Sequence, residues 1–472
     1  MNKQPLIAAV VAVAFMLGAH GSKAQQIDPT VSPITGVWEG KLNAGVQLRL
    51  VLHVAERDGV LTASVDSPDQ GAKGIPVNRF EFDADKLSFA ITPIRATYRA
   101  TLDGDNLSGV WRQGGAELPL NLERVITPTA LARPQTPQPP YPYSNTSMAF
   151  DSADGVTNLA GTLSMPAGDG PFRAVILLSG SGPQDRDSTL FEHKPFLVLA
   201  DYLTRHGFAV LRFDDRGVGA SRGDRTMATM DDFVQDAQGA VNTLWRHDNI
   251  SSVGLLGHSE GAMVADIVAN DSAQVEFLIR LAGPAVDSPA LLDAQSRAIF
   301  RAAGGAPEHL NKLSEMNRHV YALAASDRDT ATLGADALDY MQQATQTMTV
   351  EQRAMLGMND NLEAKAQALT SPWFRDFMRR DAGTVLARLK PPVLALFGGK
   401  DMQVLANQNA PAAKSKLRHP LSEVKVYPNL NHLFQTATTG APAEYGQIEQ
   451  TLAPKVLADL VTWLRDLPVR RD

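Results

Sequence analysis

The stretch that most constrains the fold of this chain is Ser252–Ala269, with the sequence SVGLLGHSEGAMVADIVA. An apolar run leads into the motif GHSEG at residues 257–261, and a second apolar stretch with helical spacing follows. Strand, tight turn and helix in this order put a serine on a sharp bend with its hydroxyl exposed. Glycines on both sides let the flanking backbone pass closely, because they carry no Cβ. The pattern predicts that Ser259 is a nucleophile.

The same five-residue pattern occurs a second time, as GASRG at residues 219–223. Ser221 follows the polar run RFDDR, and no apolar helix begins after it. Only Ser259 has a strand before it and a helix after it, so the context favours Ser259 over Ser221. The alternative interpretation of residues 257–261 is a glycine-rich packing turn.

Composition narrows the possible classes of protein. A chain of 472 residues with 44% hydrophobic residues is expected to form two or three domains with substantial cores. The net charge of −7 is spread along the chain, so neither nucleic acid nor an anionic membrane surface is an expected partner. The absence of cysteine excludes disulfides, thiolate metal sites and cysteine nucleophiles. We expect no metal ion and no cofactor.

The first 24 residues have the layout of a secretory signal. Lys3 precedes the apolar run Leu6–Leu17, and small and polar residues lead to Ala24. We predict cleavage after Ala24 and a periplasmic or secreted protein without a membrane span in its mature form. An uncleaved membrane anchor is the alternative, although such a run is short for a bilayer.

Residues 30–125 predict a small all-β domain. Apolar and polar residues alternate with a period of two, and turn signals such as Asp58-Gly59 separate about eight short runs. These runs predict an antiparallel barrel or sandwich, in which we interpret Trp38 and Trp111 as core residues rather than a binding face. The proline-rich residues 126–143 predict an extended linker.

From residue 144 to 472, strands alternate with helices, which predicts a mainly parallel sheet with right-handed crossovers. The buried strand AVILL at 174–178 ends in the loop SGSGPQDRD at 179–187. We predict that this loop gives one oxyanion donor, from Ser181 or Gly182, and that the N–H of Glu260 gives the other. A phosphate loop is disfavoured because its Lys-Ser/Thr ending is missing.

The alternation stops at about residues 286–387, where the pattern is helical throughout. An insertion of this length before the next strand predicts a helical cap over the active site. Trp373 and Phe374, just after Pro372, are the predicted substrate-facing residues.

Two later strands bring the residues that would activate the serine. Asp401 follows the strand that begins at Val393, and His432 follows a strand at 424–427. A serine hydroxyl needs an imidazole to take its proton, and a carboxylate orients that imidazole. The order Ser259, Asp401, His432 is the order found in α/β-hydrolases. The sequence therefore predicts a catalytic triad.

From about residue 144 onward, the chain resembles secreted bacterial α/β-hydrolases of the esterase group related to dienelactone hydrolases and prolyl-oligopeptidase-like enzymes. The resemblance rests on five segments, namely SGSGPQDRD at 179–187, RFDDRGVGAS at 212–221, GHSEG at 257–261, FGGKDMQV at 397–404 and NLNHLF at 429–434. It implies an α/β-hydrolase fold with Ser259 as nucleophile, Asp401 as acid and His432 as base.

Three functions are compatible with these residues. The first is a serine esterase that cleaves small-molecule carboxylic esters through an acyl-enzyme. The second is a serine peptidase of the prolyl-oligopeptidase-like type, although the β-domain is too short for a propeller with blades of roughly 40–50 residues. The third, a non-catalytic binding protein on a decayed hydrolase fold, is disfavoured because every required residue is present. We also expect Glu260, Asp185 and Asp187 to disfavour strongly anionic acyl groups.

Overall fold

The computed structural model describes residues 32–44, 47–113, 116–129, 131–346, 348–356, 358 and 361–468. The predicted signal segment and the alternative anchor lie outside these residues. The described chain forms two compact units. One is the chain up to Arg133 with Leu190–Glu192, and the other is Pro134–Thr189 with the chain from His193 onward. The division falls inside the predicted linker, residues 126–143. Within the described ranges, no helix is long and apolar enough to cross a membrane.

In the described part of the first unit, nine strands form one antiparallel sheet in the order β4-β3-β2-β1-β9-β8-β7-β6-β5. The strands are β1 Gly36–Asn43, β2 Gln47–Arg57, β3 Val60–Ser67, β4 Ala72–Pro76, β5 Asn78–Asp83, β6 Lys86–Ile91, β7 Ala96–Asp103, β8 Asn106–Gln113 and β9 Ala116–Val125. The apolar side chains of alternate positions form a separate core. Trp38 and Trp111 lie within it, 0% and 3% exposed, which confirms their interpretation as core residues.

The second unit contains an eight-stranded mixed sheet in the order β10-β11-β13-β12-β14-β15-β16-β17. Its strands are β10 Ser144–Asp151, β11 Asn158–Met165, β12 Phe172–Leu178, β13 Ala209–Phe213, β14 Ile250–His258, β15 Val275–Leu281, β16 Val393–Gly398 and β17 Glu423–Tyr427. The pairs β10–β11 and β11–β13 are antiparallel, and the other pairs are parallel. The central parallel strands are largely apolar, as burial on both faces requires, whereas the edge strand β17 carries charged residues.

Helices follow most of the parallel strands. They are α1 Pro195–Arg205, α2 Met230–Trp245, α3 Glu260–Asp271, α4 Ser288–Ala302, α5 Leu310–Ala325, α6 Thr330–Gln346, α7 Val350–Met355, α8 Leu362–Ala368, α9 Pro372–Met378, α10 Ala382–Leu386, α11 Ala406–Lys416 and α12 Pro454–Asp466. Helices α4 to α10 lie between β15 and β16, and the described residues of that segment contain no named strand. The helical character predicted for residues 286–387 is therefore present.

The parallel strands bring the chemically interesting loops to one edge of the sheet. Strand β12 ends before the loop at 179–187, and β14 ends directly before Ser259. Strands β16 and β17 end shortly before Asp401 and His432. In open α/β sheets, the carboxyl ends of the strands are where ligands bind.

Candidate active site

Ser259 occupies the bend between β14 and α3 in a strained conformation. Its φ of 55° and ψ of −119° lie outside the regions that L-residues favour, at a cost of about 1–3 kcal/mol. The surrounding chain enforces the bend. A Cβ at Gly257 would lie 2.2 Å from the carbonyl oxygen of Gly261, and a Cβ at Gly261 would lie 2.3 Å from that of Leu178. The Ser259 N–H donates to Leu281 O at 2.9 Å. Strain at a serine on a strand-to-helix turn is typical of a nucleophile elbow.

Ser221, the alternative serine, is engaged elsewhere. Its hydroxyl donates to the carbonyl oxygen of Asp214 at 2.7 Å and accepts from the N–H of Ala160 at 2.9 Å. The side chain is buried, with 8% exposed. Through these contacts, Ser221 stabilises the turn after β13.

Asp401 and His432 form a buried pair. His432 Nδ1 lies 2.8 Å from Asp401 Oδ2, and the two residues are 3% and 5% exposed. The other carboxylate oxygen, Oδ1, accepts from the N–H groups of Gln403 and Val404 at 2.7 and 2.9 Å. This carboxylate is therefore fixed by its own loop, and it can orient the imidazole and stabilise its charged form.

His258 connects the serine turn to the histidine loop. Its Nε2 lies 3.0 Å from the carbonyl oxygen of His432, and the two rings are 4.7 Å apart between centroids. Among the described residues, no hydrogen bond joins Ser259 Oγ to His432. Serine–histidine hydrogen bonds at active sites commonly tighten only with substrate bound. The contact of His258 with His432 thus joins the turn that carries Ser259 to the loop that carries His432.

The electrostatics of His258 suit this position. Burial and, to a smaller extent, the neighbouring His432 lower its pKa to about 4. A neutral His258 does not oppose a positive charge on His432, whereas two adjacent imidazolium ions would repel each other.

The predicted oxyanion donors lie on two loops. Glu260 is the first residue of α3, so its N–H belongs to the helix turn that has no intrahelical acceptor. In the loop after β12, Gly180 faces Ser259, since a Cβ on Gly180 would lie 3.4 Å from the Ser259 Cβ. The predicted donors Ser181 and Gly182 follow directly. Ser181 is exposed, and Gly182 has a φ of 96°.

A cluster of charged residues stabilises the loop after β12. Asp215 accepts from Ser179 Oγ at 2.7 Å and from the Gln184 N–H at 3.0 Å. It also pairs with Arg225 at 3.0 Å, and Arg225 donates to the carbonyl of Gly182. Burial raises the pKa of Asp215 to about 6. The cluster fixes the backbone of the proposed oxyanion loop at both of its ends.

The predicted substrate-facing residues lie on α9. Trp373 Nε1 donates to Glu260 Oε1 at 2.8 Å, which places Trp373 against the first residue of α3. The Phe374 ring lies 6.0 Å from that of Trp373 and 6.2 Å from that of Tyr321. Both side chains are half-buried.

The three carboxylates expected to repel anionic acyl groups are each engaged separately. Asp187 pairs with Arg212 and Lys194. Asp185 accepts from two N–H groups of its own loop, and Glu260 accepts from the Trp373 indole. The expectation that these carboxylates disfavour strongly anionic acyl groups stays a prediction.

Sequence reasoning missed His258 and Gly180. A histidine next to a serine in the sequence is not marked by any characteristic spacing. Its position inside the GHSEG motif could nevertheless have been used to predict a role for it. Within the described ranges, no group of three or more His, Cys, Asp or Glu side chains could hold a metal ion.

Comparison with known proteins finds relatives of this chain. Esterase EstD from Thermotoga maritima is 27% identical over 323 residues, which cover 67% of this chain and 68% of that protein. The structure of the Pyrococcus furiosus esterase Pf2001 superposes with a TM-score of 0.40 at 14% identity, covering 72% of this chain and 98% of that one. For the dienelactone hydrolase from Anabaena variabilis, the TM-score is 0.39 at 15% identity, with coverages of 70% and 100%.

The fold and the strained serine turn define a hydrolase of the α/β-hydrolase superfamily. The family described as serine aminopeptidase, S33, matches residues 192–436, more than half of the 472 residues. The chain belongs to this family. The resemblance that was read from the sequence motifs is thereby confirmed at the level of the superfamily.

Proposed function

We propose that the protein is a serine carboxylesterase that hydrolyses small-molecule esters through an acyl-enzyme at Ser259. The observation that carries this proposal is the buried Asp401–His432 pair, 2.8 Å apart, whose histidine loop is contacted by His258, the residue before the strained Ser259. The esterase relative from Thermotoga maritima supports the substrate class.

The mechanism assigns one task to each residue. His432 takes the proton of the Ser259 hydroxyl as that oxygen attacks the ester carbonyl, and Asp401 stabilises the imidazolium. The N–H of Glu260 and an N–H of the Gly180–Gly182 loop donate to the oxyanion. His432 then protonates the leaving alcohol. Water, deprotonated by His432, releases the acid and restores Ser259.

A serine aminopeptidase is the second candidate, favoured by the description of the family that matches this chain. Both reactions use the same nucleophile and base, and they differ in the leaving group. We retain the esterase because EstD, which spans two thirds of the chain, carries that name.

The test is hydrolysis of a chain-length series of nitrophenyl esters beside aminoacyl nitroanilides. We expect ester turnover that Ser259→Ala abolishes and Ser221→Ala preserves. Turnover of anilides above that of esters would favour the peptidase. Binding of esters without any turnover would favour a non-catalytic binding protein.

We further propose that residues 286–387 act as a cap and that the protein is exported after cleavage following Ala24. The contact between Trp373 and Glu260 supports the cap, and the Leu6–Leu17 apolar run supports export. Sequencing of the mature N-terminus is expected to begin at Gln25, whereas retention of Met1 in an exported fraction would support the anchor.

A further inference from the structure

The side chain of Glu260 is a buried carboxyl that the proposed mechanism does not use. The residue is 5% exposed. Its Oε1 accepts from Trp373 Nε1 at 2.8 Å, while Oε2 is buried and has no hydrogen-bond partner among the described residues. An ionised carboxylate with one unpaired oxygen is costly in such surroundings, whereas a protonated carboxyl needs fewer partners.

Trp373 belongs to helix α9, which is anchored on α2. Within α9, the Trp373 ring stacks on that of Phe377 at 5.5 Å between centroids. In the same helix, Asp376 accepts from the N–H of Met230, the first residue of α2, at 3.0 Å. The bond to Glu260 is the link from this helix to the nucleophile turn.

Glu260 lines a small cavity in which the neighbouring charged groups are already paired. The cavity has a volume of about 30 Å³, room for about one water molecule, and its lining includes Glu260, Ser179, Gly180, Asp215 and Arg225. Arg225 is engaged with Asp215 and with the carbonyl of Gly182.

The other carboxylates close to Glu260 are paired as well. Asp236 pairs with Arg216, and Asp376 pairs with Arg380. Because the nearby arginines are paired with other carboxylates, burial is the largest effect on Glu260, and it raises the pKa of this carboxyl to about 7. The Trp373 hydrogen bond and the charge of Arg225 oppose this rise.

We propose that Glu260 is a positioning residue that joins α9 to the nucleophile turn in its protonated form, and that its ionisation impairs the oxyanion hole. The proposal rests on the proposed esterase function. It assigns to one residue two roles: its backbone N–H is an oxyanion donor, and its side chain carries the contact to the helical segment.

The direction of the effect follows from charge. A carboxylate on the residue that donates to the oxyanion places two negative charges close together in the transition state. If the oxyanion raises the Glu260 pKa by about one unit, kcat for the ionised form is about tenfold lower than for the protonated form. We therefore expect kcat of the wild type to fall in a step near pH 7.

Two substitutions test this assignment through the pH profile of nitrophenyl butyrate hydrolysis between pH 5.5 and 9. Glu260→Gln retains an acceptor for the indole and cannot ionise, so we expect its pH profile, scaled to its own activity at pH 6, to show no falling step. Trp373→Phe removes a donor that favours the carboxylate, so the step should move to higher pH.

A matched control is Glu363→Gln, the same change at an exposed carboxyl of α8, which should leave the step in place. A falling step that persists in Glu260→Gln would overturn the proposal. So would a step that Trp373→Phe leaves unmoved, because the link to α9 would then play no part.

The failure of this proposal differs from a failure of the proposed esterase. Covalent labelling of Ser259 by a fluorophosphonate, followed at pH 6, reports the nucleophile whatever the ionisation of Glu260. Labelling and ester turnover with an unchanged step would refute the role of Glu260 alone. The absence of both would refute the esterase itself.

Discussion

The residues proposed to set the chemistry of this site are held by short-range geometry. The strand-to-helix bend at Ser259 could be predicted because its two flanking glycines and the apolar runs on both sides are visible in the sequence. The pairing of Asp401 with His432 was predicted from their order and from the strands before them. The role of His258 could not be predicted, since its partner is the carbonyl of a residue far along the chain.

His258 leads to a prediction about catalysis. His258→Phe keeps a ring of similar size and removes the hydrogen bond to the carbonyl of His432. Leaving the buried carbonyl of His432 unsatisfied costs about 1–3 kcal/mol, which is enough to shift the loop that holds the His432 imidazole. We therefore expect kcat to fall about tenfold with little change in KM. His258→Gln retains a donor and should recover part of the loss. A fully active Phe variant, measured with nitrophenyl butyrate, would contradict the positioning role.

The same residue predicts a pH dependence of stability. The pKa of His258 falls from 6.5 to about 4 on folding, so between these values the unfolded chain binds more protons than the native protein. The stability that His258 contributes is therefore present above pH 6.5 and is lost as the pH falls toward 4. Urea unfolding should show a steeper loss in this range for wild type than for His258→Gln. Equal slopes would contradict a buried neutral histidine.

At the scale of elements, a buried ion pair joins α3 to β15. Arg280 and Asp266 are 0% and 1% exposed, and Arg280 Nη2 lies 3.0 Å from Asp266 Oδ2. Asp266→Asn leaves a buried guanidinium without its counter-charge, so we expect a loss of about 3–5 kcal/mol in unfolding free energy.

Two further variants make that prediction specific. The double variant Asp266→Leu/Arg280→Met removes both charges and should be within about 1–2 kcal/mol of wild type. Asp271→Asn, at the exposed end of α3, should have no measurable effect. Urea unfolding measures all three. A mild loss for Asp266→Asn would mean that water reaches the pair.

The loop after β12 gives a second prediction at this scale. Arg225→Ala removes the ion pair with Asp215 and the hydrogen bond to the carbonyl of Gly182. The loop should lose its fixed backbone, and we expect kcat to fall about tenfold to hundredfold with KM little changed. Arg222→Ala, an exposed neighbour, is the control. A fall in both variants, or in neither, would contradict the role of this cluster.

The sequence predicted most elements of both sheets but missed three features. Strand β4 contains Gly74, Pro76 and a lysine, so it has no strand pattern and forms by pairing at the sheet edge. Helix α11 contains Pro411 and few apolar residues. A short 3₁₀ segment at Pro442–Gln447 precedes the last helix, which begins at Pro454.

At the scale of the whole molecule, alternation of strands and helices made the α/β unit predictable, and period-two patterns made the β unit predictable. The linker was predicted from composition alone. From Pro134 onward the linker belongs to the second unit, in which Gln135 Oε1 accepts from the N–H groups of Thr451 and Leu452 at 2.6 and 3.0 Å. Such a contact depends on residues more than 300 positions away, which no local pattern encodes.

The central claim is that Ser259 is the nucleophile, and peptide mapping after fluorophosphonate labelling tests it most directly. Trypsin separates the two candidate serines, with Ser221 in the peptide Gly217–Arg222 and Ser259 in the peptide His247–Arg280. We predict one adduct, on Ser259, that is absent from Ser259→Ala. An adduct on Ser221, or labelling that survives in Ser259→Ala, would contradict it.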